Sequence, residues 1–164
     1  MSDQGSFPSV RLRRIRTSET LRRMVRETSL GPEHLIAPIF VTDGDGVAEP
    51  IESMPGISRV SVDGVAALAD NLLGTGVRAV LLFGVPDPSR KDESGIESFA
   101  PQGAVQRAVR ALKAHASELV VMTDVCMCEY TTHGHCGILD SAQYVSNDAT
   151  LDVLEGEIVA LLGR

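Results

Sequence analysis

Three cysteines, Cys126, Cys128 and Cys136, fall within eleven residues of one another, and two histidines, His133 and His135, lie between the last two. Thiolates are soft donors that suit Zn2+. An odd thiol count and a cytoplasmic setting argue against a structural disulfide. Ordinary buried cysteines need not cluster, nor bring histidines with them. Metal binding is the chemistry this spacing favours, with a redox thiol cluster and inert cysteines as the alternatives. Three protein ligands leave a fourth position for water or substrate, as in a catalytic zinc site. His133 or His135 could fill that position and close the site. Asp124 stands two residues before Cys126. A carboxylate there could orient a ligand or hold a substrate ammonium; a helix cap or loop hydrogen bond is the plainer alternative.

Such a cluster needs elements to assemble it. Leu35–Val41, Ala79–Val85 and Leu119–Val125 are short, continuous apolar runs. Strands covered on both faces of a parallel sheet have this form. Pro38 weakens the first, because proline removes a ladder donor. Val65, Leu68, Ala69, Leu72 and Leu73 make one helical stripe, with Asp63 as the expected N-cap and Gly74 and Gly76 as stop signals. Val105, Ala108, Val109, Leu112 and Ala116 make a second. The order β-α-β-α-β implies right-handed crossovers and a parallel sheet. A third helix is expected from Asn147 as N-cap, with Gly156 interrupting it and residues 157–162 open to a fourth strand. The cysteines follow the end of the third strand, the edge where parallel α/β folds carry their chemistry. Residues i and i+2 leaving a strand point the same way, so Cys126 and Cys128 can converge, and the glycine-bearing loop returns Cys136 to them.

Residues 1–34 read as a basic N-terminal arm holding one short helix within Thr17–Glu27, and residues 35–164 as the α/β domain. Pro86–Gln102 is a long connection between strand and helix, a length that usually marks a functional loop or a disordered one. Arg11, Arg13, Arg14, Arg16, Arg22, Arg23 and Arg26 face only Asp3, Glu19 and Glu27 in the first thirty residues, yet the whole chain of 164 residues carries a net charge of −7. A net acidic body argues against nucleic-acid binding, and the arm is read as lying on acidic protein surface. Aromatic residues make up 4% with no Trp, so a base-stacking platform is not expected. No apolar run approaches the ~18 residues of a membrane span, and MSDQGSFPSV has no apolar signal region. A cytoplasmic protein without membrane partners is the expectation.

The segment Asp124-Val-Cys-Met-Cys-Glu-Tyr-Thr-Thr-His-Gly-His-Cys-Gly137 closely resembles the porphobilinogen synthase (5-aminolevulinate dehydratase) family. Arg13–Arg16, Leu35–Phe40, Ser53–Gly56, Leu82–Pro86, Lys91-Asp92, Val105–Ala108 and Asn147-Asp148 resemble it too, in the expected order. The resemblance implies a (β/α)8 barrel with an extended N-terminal arm that joins subunits into a homo-oligomer. It implies condensation of two 5-aminolevulinate molecules to porphobilinogen, a zinc-dependent hydro-lyase step of haem and tetrapyrrole synthesis. It makes Cys126, Cys128 and Cys136 the Zn2+ ligands, Asp124 a carboxylate near the substrate, and His135 a neighbour of the metal. An eight-stranded barrel takes ~250 residues, so the expected fold is a partial barrel of three to four β/α units. The family's two Schiff-base lysines lie in its second half, and neither Lys91 nor Lys113 matches them. The sequence thus sets two expectations side by side. One is an enzyme whose lysines come from another polypeptide. The other is a non-catalytic, truncated zinc-binding half-barrel that joins full-length subunits or is a degraded gene product, with residues 155–164 a shortened fourth strand or a frameshifted tail.

Overall fold

A computed structural model describes residue 8 and residues 13–163. The chain divides into two compact units that part between Gly31 and Pro32; the expectations placed on residues 1–7 and 9–12 of the arm lie outside the described residues. In the first unit a 3-10 turn, Arg14–Arg16, precedes helix α1, Glu19–Met24. Ser18 caps α1 by accepting from the Leu21 N–H at 3.2 Å, and Glu19 and Arg23 pair one turn apart at 2.7 Å. The expected arm helix is therefore present but short.

The second unit carries strands β1 (Ile36–Thr42), β2 (Ala48–Pro50) and β3 (Ser58–Ser61), helix α2 (Val65–Thr75), β4 (Ala79–Val85), α3 (Ala104–His115), β5 (Val120–Thr123) and α4 (Asn147–Leu161). The sheet order is β2-β3-β1-β4-β5, parallel except for β2, which runs antiparallel along the β3 edge. The three expected strands are β1, β4 and β5. The short pair β2 and β3 was not anticipated, since neither three nor four polar-flanked residues make an apolar run. Pro38 is tolerated because β3 pairs with β1 only from Phe40 onward, leaving one flank of Pro38 without a ladder.

Burial alternates along β1 and β4. Ile39, Val41, Val80 and Leu82 face α2 and α3, where they meet Val65, Ala69, Val105, Ala108 and Leu112 in one core. The opposite face, where Phe40 and Phe83 stack with ring centres 5.2 Å apart, is only half-buried. The expectation of strands covered on both faces is corrected: within the described residues the helices cover one.

Helix signals differ from expectation at Asp63, Gly74, Asn147 and Gly156, while Gly76 ends α2 as expected. Asp63 does not cap α2; it sits in a 3-10 turn, Val62–Gly64, and its carboxylate accepts from the Ser61 hydroxyl and the Gly46 N–H. Gly74 lies inside α2, and the helix stops at Gly76, whose φ of +88° supplies the left-handed cap. Helix α4 runs unbroken through Gly156, so residues 157–161 are helix rather than strand, and Ser146 rather than Asn147 holds the N-cap position. Gly156 lies over the Phe99 ring, where a Cβ would be in ordinary contact at 3.5 Å.

Candidate metal centre

The site begins where β5 ends. The Asp124 N–H donates to Leu82 O at 3.1 Å, one step beyond the last β4–β5 pair, so this carboxylate stands at the C-terminal edge of the sheet. The chain then leaves the strand, and Cys126 and Cys128 lie in a loop. The expectation that strand geometry aims both thiols is corrected. A turn does it instead: Tyr130 and Thr131 donate to Met127 O at 2.9 and 3.0 Å. Met127 is fully buried and Tyr130 nearly so. These two apolar anchors face inward, and the cysteines flanking Met127 are left to turn toward each other.

The thiols do converge. Cys126 Sγ lies 3.3 Å from Cys128 Sγ and 3.1 Å from Cys136 Sγ, and all three sulfurs lie within 4.8 Å of one another. All three are free thiols, and a disulfide would need ~2.05 Å. A tetrahedral Zn2+ with ~2.3 Å bonds separates its sulfurs by about 3.8 Å, so a small opening of the triad admits the ion. The donor set fits zinc. Burial, chiefly, pushes the Cys126 and Cys128 thiols up; the Glu129 charge adds to this, and Glu129 accepts from Cys128 Sγ at 3.2 Å. A cation among them reverses that balance and favours the thiolates.

Acidic groups surround the triad. Burial, then the charge of Glu129, raises Asp124. Glu157, on α4, is 2% exposed, and burial with the charges of Asp124 and Glu129 pushes it up to about 8, against the lowering effect of a hydrogen bond from the Cys126 backbone. Sequence reasoning missed Glu129, Tyr130 and Glu157. A lone acid inside the apolar run Glu157–Leu162 was the one available signal for the last.

The remaining expected residues fall elsewhere. Neither His133 nor His135 offers a ring nitrogen to the clustered sulfurs among the described residues. His133 Nδ1 accepts from the His135 N–H at 3.1 Å, and its Nε2 lies 3.2 Å from Glu93 O. Lys113 is taken up at the end of α3, donating to Ser117 O and Leu119 O. Lys91 sits half-buried in the long loop. An apolar cavity of about 310 Å3 between β1, β3 and α2 shares no residue with the thiol cluster.

A cluster of three free thiols that could hold a cation, at the C-terminal edge of a parallel sheet with helices on one face, defines a segment of α/β-barrel type with a candidate metal site. The family model for delta-aminolevulinic acid dehydratase matches residues 9–161, and the chain belongs to that family. The dehydratase of Methanothermobacter thermautotrophicus is 49% identical over 156 residues, which cover 94% of this chain and 47% of that protein. The Helicobacter pylori dehydratase is 46% identical, with 93% and 47% covered. The chain therefore spans about half the length of these curated relatives. The crystal structure of the Toxoplasma gondii ME49 enzyme, solved with its product porphobilinogen, superposes with a TM-score of 0.88 at 32% identity, covering 94% of this chain and 44% of that one. The five-strand sheet is thus the counterpart of part of that barrel. No helix among the described residues is long and apolar enough to cross a membrane.

Proposed function

We propose that this chain is the zinc-binding part of a cytoplasmic enzyme that condenses two 5-aminolevulinate molecules to porphobilinogen in tetrapyrrole synthesis. The observation that carries the proposal is the convergence of three free thiols at the strand edge of a dehydratase-family sheet. Cys126, Cys128 and Cys136 hold the Zn2+, and His135 stands beside them as a neighbour. Bound there, zinc acts as a Lewis acid toward substrate oxygen or a bound water. Asp124 is the substrate-side carboxylate; with Glu129 it offers negative charge to a substrate ammonium. Residues 1–34 form an arm that joins copies into a homo-oligomer.

Schiff-base chemistry needs a lysine whose amine is free and desolvated. Lys113 has its ammonium on two carbonyls, and Lys91 lies in the loop, so the reacting lysines come from the part of the family fold that these residues do not span. A second reading rests on the same fact: a zinc-binding half-barrel without activity of its own, which pairs with full-length subunits. The exposed Val120 and Met122 on β5, with Val125 just beyond it, favour it, since an apolar sheet edge invites another strand.

Borohydride trapping with 5-aminolevulinate in the presence of zinc, read by intact mass, tests both. A zinc-loaded chain with no adduct supports the lysine argument. A substrate adduct on Lys91 or Lys113 refutes it. A chain that takes up no zinc refutes the metal assignment itself.

A further inference from the structure

We propose that the segment Lys91–Gly95 of the long β4–α3 loop clamps the cysteine loop and sets the spacing of its thiols, with Asp92 and His133 as positioning residues. This rests on the zinc reading above and adds to it residues that touch neither metal nor substrate.

The cysteine loop has little structure of its own beyond the turn at Met127. What holds its returning limb is the other loop. Asp92 N–H donates to Tyr130 O at 3.3 Å and Thr132 N–H donates to Asp92 O at 2.9 Å, a parallel bridge across Thr131. Backbone pairing of this kind fixes register, and Thr131 in turn donates its hydroxyl to His135 O at 3.1 Å. His133 adds a side-chain tie. Its Nδ1 accepts from the His135 N–H, so the ring proton sits on Nε2, which faces Glu93 O. Both ties end on His135, the residue before Cys136.

The clamp is itself made rigid. The Asp92 carboxylate accepts from the Ser94 N–H at 2.8 Å, the Ser94 hydroxyl at 3.0 Å and the Ile96 N–H at 3.4 Å. Gly95, at φ +64°, presses its backbone on Met127 and Thr131; a Cβ there would come within 3.3 Å of each. Behind this turn, Arg90 spans Asp43 at 2.9 Å and the buried Glu97 at 2.8 Å, which ties the loop to the end of β1. An Asp92 side chain that folds its own loop thereby holds the strand-like contact that places Cys136 against Cys126.

The test is zinc affinity of the 164-residue chain, measured by competition with a chromophoric chelator, for wild type, D92A, D92N and H133A. Asparagine keeps the acceptor oxygen, so D92N is the conservative rescue. Loss of an outer-shell partner weakens metal binding roughly 10–100-fold; that loss is expected for D92A and H133A, with D92N within about threefold of wild type. The Co2+-substituted proteins add a readout that a general loss of stability leaves alone: the sulfur-to-cobalt charge-transfer band at saturation is expected to weaken in D92A and to be restored in D92N. Wild-type affinities and spectra in both D92A and H133A overturn the clamp. H133A removes a partly exposed ring and opens no core cavity, so it decides the matter if D92A does not fold. If wild type takes up no zinc, the metal reading fails separately, and the clamp is judged by Cys136 alkylation in the metal-free chain. Several-fold faster alkylation in D92A supports it, and equal rates overturn it.

Discussion

Gly84 is the position where fold and site are most tightly joined. It lies in β4, and a Cβ built on it would collide with the Tyr130 hydroxyl, stand 2.7 Å from Tyr130 Cζ and 3.1 Å from Val105 Cγ2. Tyr130 is 7% exposed and cannot swing away without lifting the Met127–Thr131 turn. Gly84→Ala therefore forces overpacking, which costs about 1–3 kcal/mol. For a chain of this size that lowers the melting midpoint by roughly 2–4 °C per kcal/mol. The turn also carries Cys128, so the same substitution is expected to weaken zinc binding. Urea denaturation followed by circular dichroism, in excess chelator, isolates the packing cost from metal linkage. The double variant with Tyr130→Leu, which removes the obstructing ring, is expected to show a coupling energy of at least ~0.5 kcal/mol. Wild-type stability and wild-type zinc affinity in Gly84→Ala would refute the reasoning, because the ring would then have room to move.

Other substitutions separate ligands from anchors. Cys136→Ser removes a ligand, and its zinc affinity in chelator competition is expected to fall by more than the ~100-fold upper limit of an outer-shell change. Met127→Ala empties a fully buried position between two thiols; a cost of about 2–5 kcal/mol in urea denaturation is expected, with weaker zinc binding as a consequence. Asp92 is partly buried, which alone would raise its pKa, but the Ser94 hydroxyl and the amides of Ser94, Ile96 and Gly95 hold it below the ordinary carboxylate range. Its folded value is depressed, so its contribution is complete above the unfolded pKa and is lost as pH falls through the folded one. Urea midpoints measured below about pH 4 are expected to fall less steeply in D92N than in wild type.

The sequence made some of this structure plain and hid the rest for definable reasons. The bounds of β4 are legible in Ala79–Val85 because seven consecutive apolar residues between glycine-rich and proline-rich segments leave little choice. Helix α3 is legible because its stripe is clean. β2 and β3 are invisible because their pairing comes from the sheet edge, not from their own composition. Helix α4 was ambiguous at Gly156, where propensity argues for a break; packing of the helix on the Ile96–Phe99 turn outweighs that local cost. The cysteines were legible as a cluster, but the device that aims them was not. A reader of the sequence sees Cys-Met-Cys after a strand and assigns the alternation of a strand. The buried Met127 and Tyr130 show that the inward anchors of a turn produce the same convergence.

Three separate elements meet on the cysteine loop: Gly84 of β4 under Tyr130, the Asp92 turn against Thr131, and α4, where Thr150 accepts from the Ile138 N–H and crowds Gly137. None of these contacts is local in sequence, so the thiol triad exists only when the domain is folded. A ligand that binds the folded chain and not the unfolded one stabilises it by RT ln(1 + [L]/Kd), about 2.7 kcal/mol at a hundred times Kd. Free cysteines in the unfolded chain retain some affinity and reduce that figure. Zinc is therefore expected to raise the unfolding free energy measured in urea by less than about 2.7 kcal/mol at that excess, and the rise is expected to vanish in Cys136→Ser. A midpoint that ignores zinc in wild type, while the chelator assay reports tight binding, would mean that the unfolded chain holds the metal as well as the folded one. The ordered loop would then contribute nothing to affinity, and the three elements that hold it would have to be explained by the substrate side of the site alone.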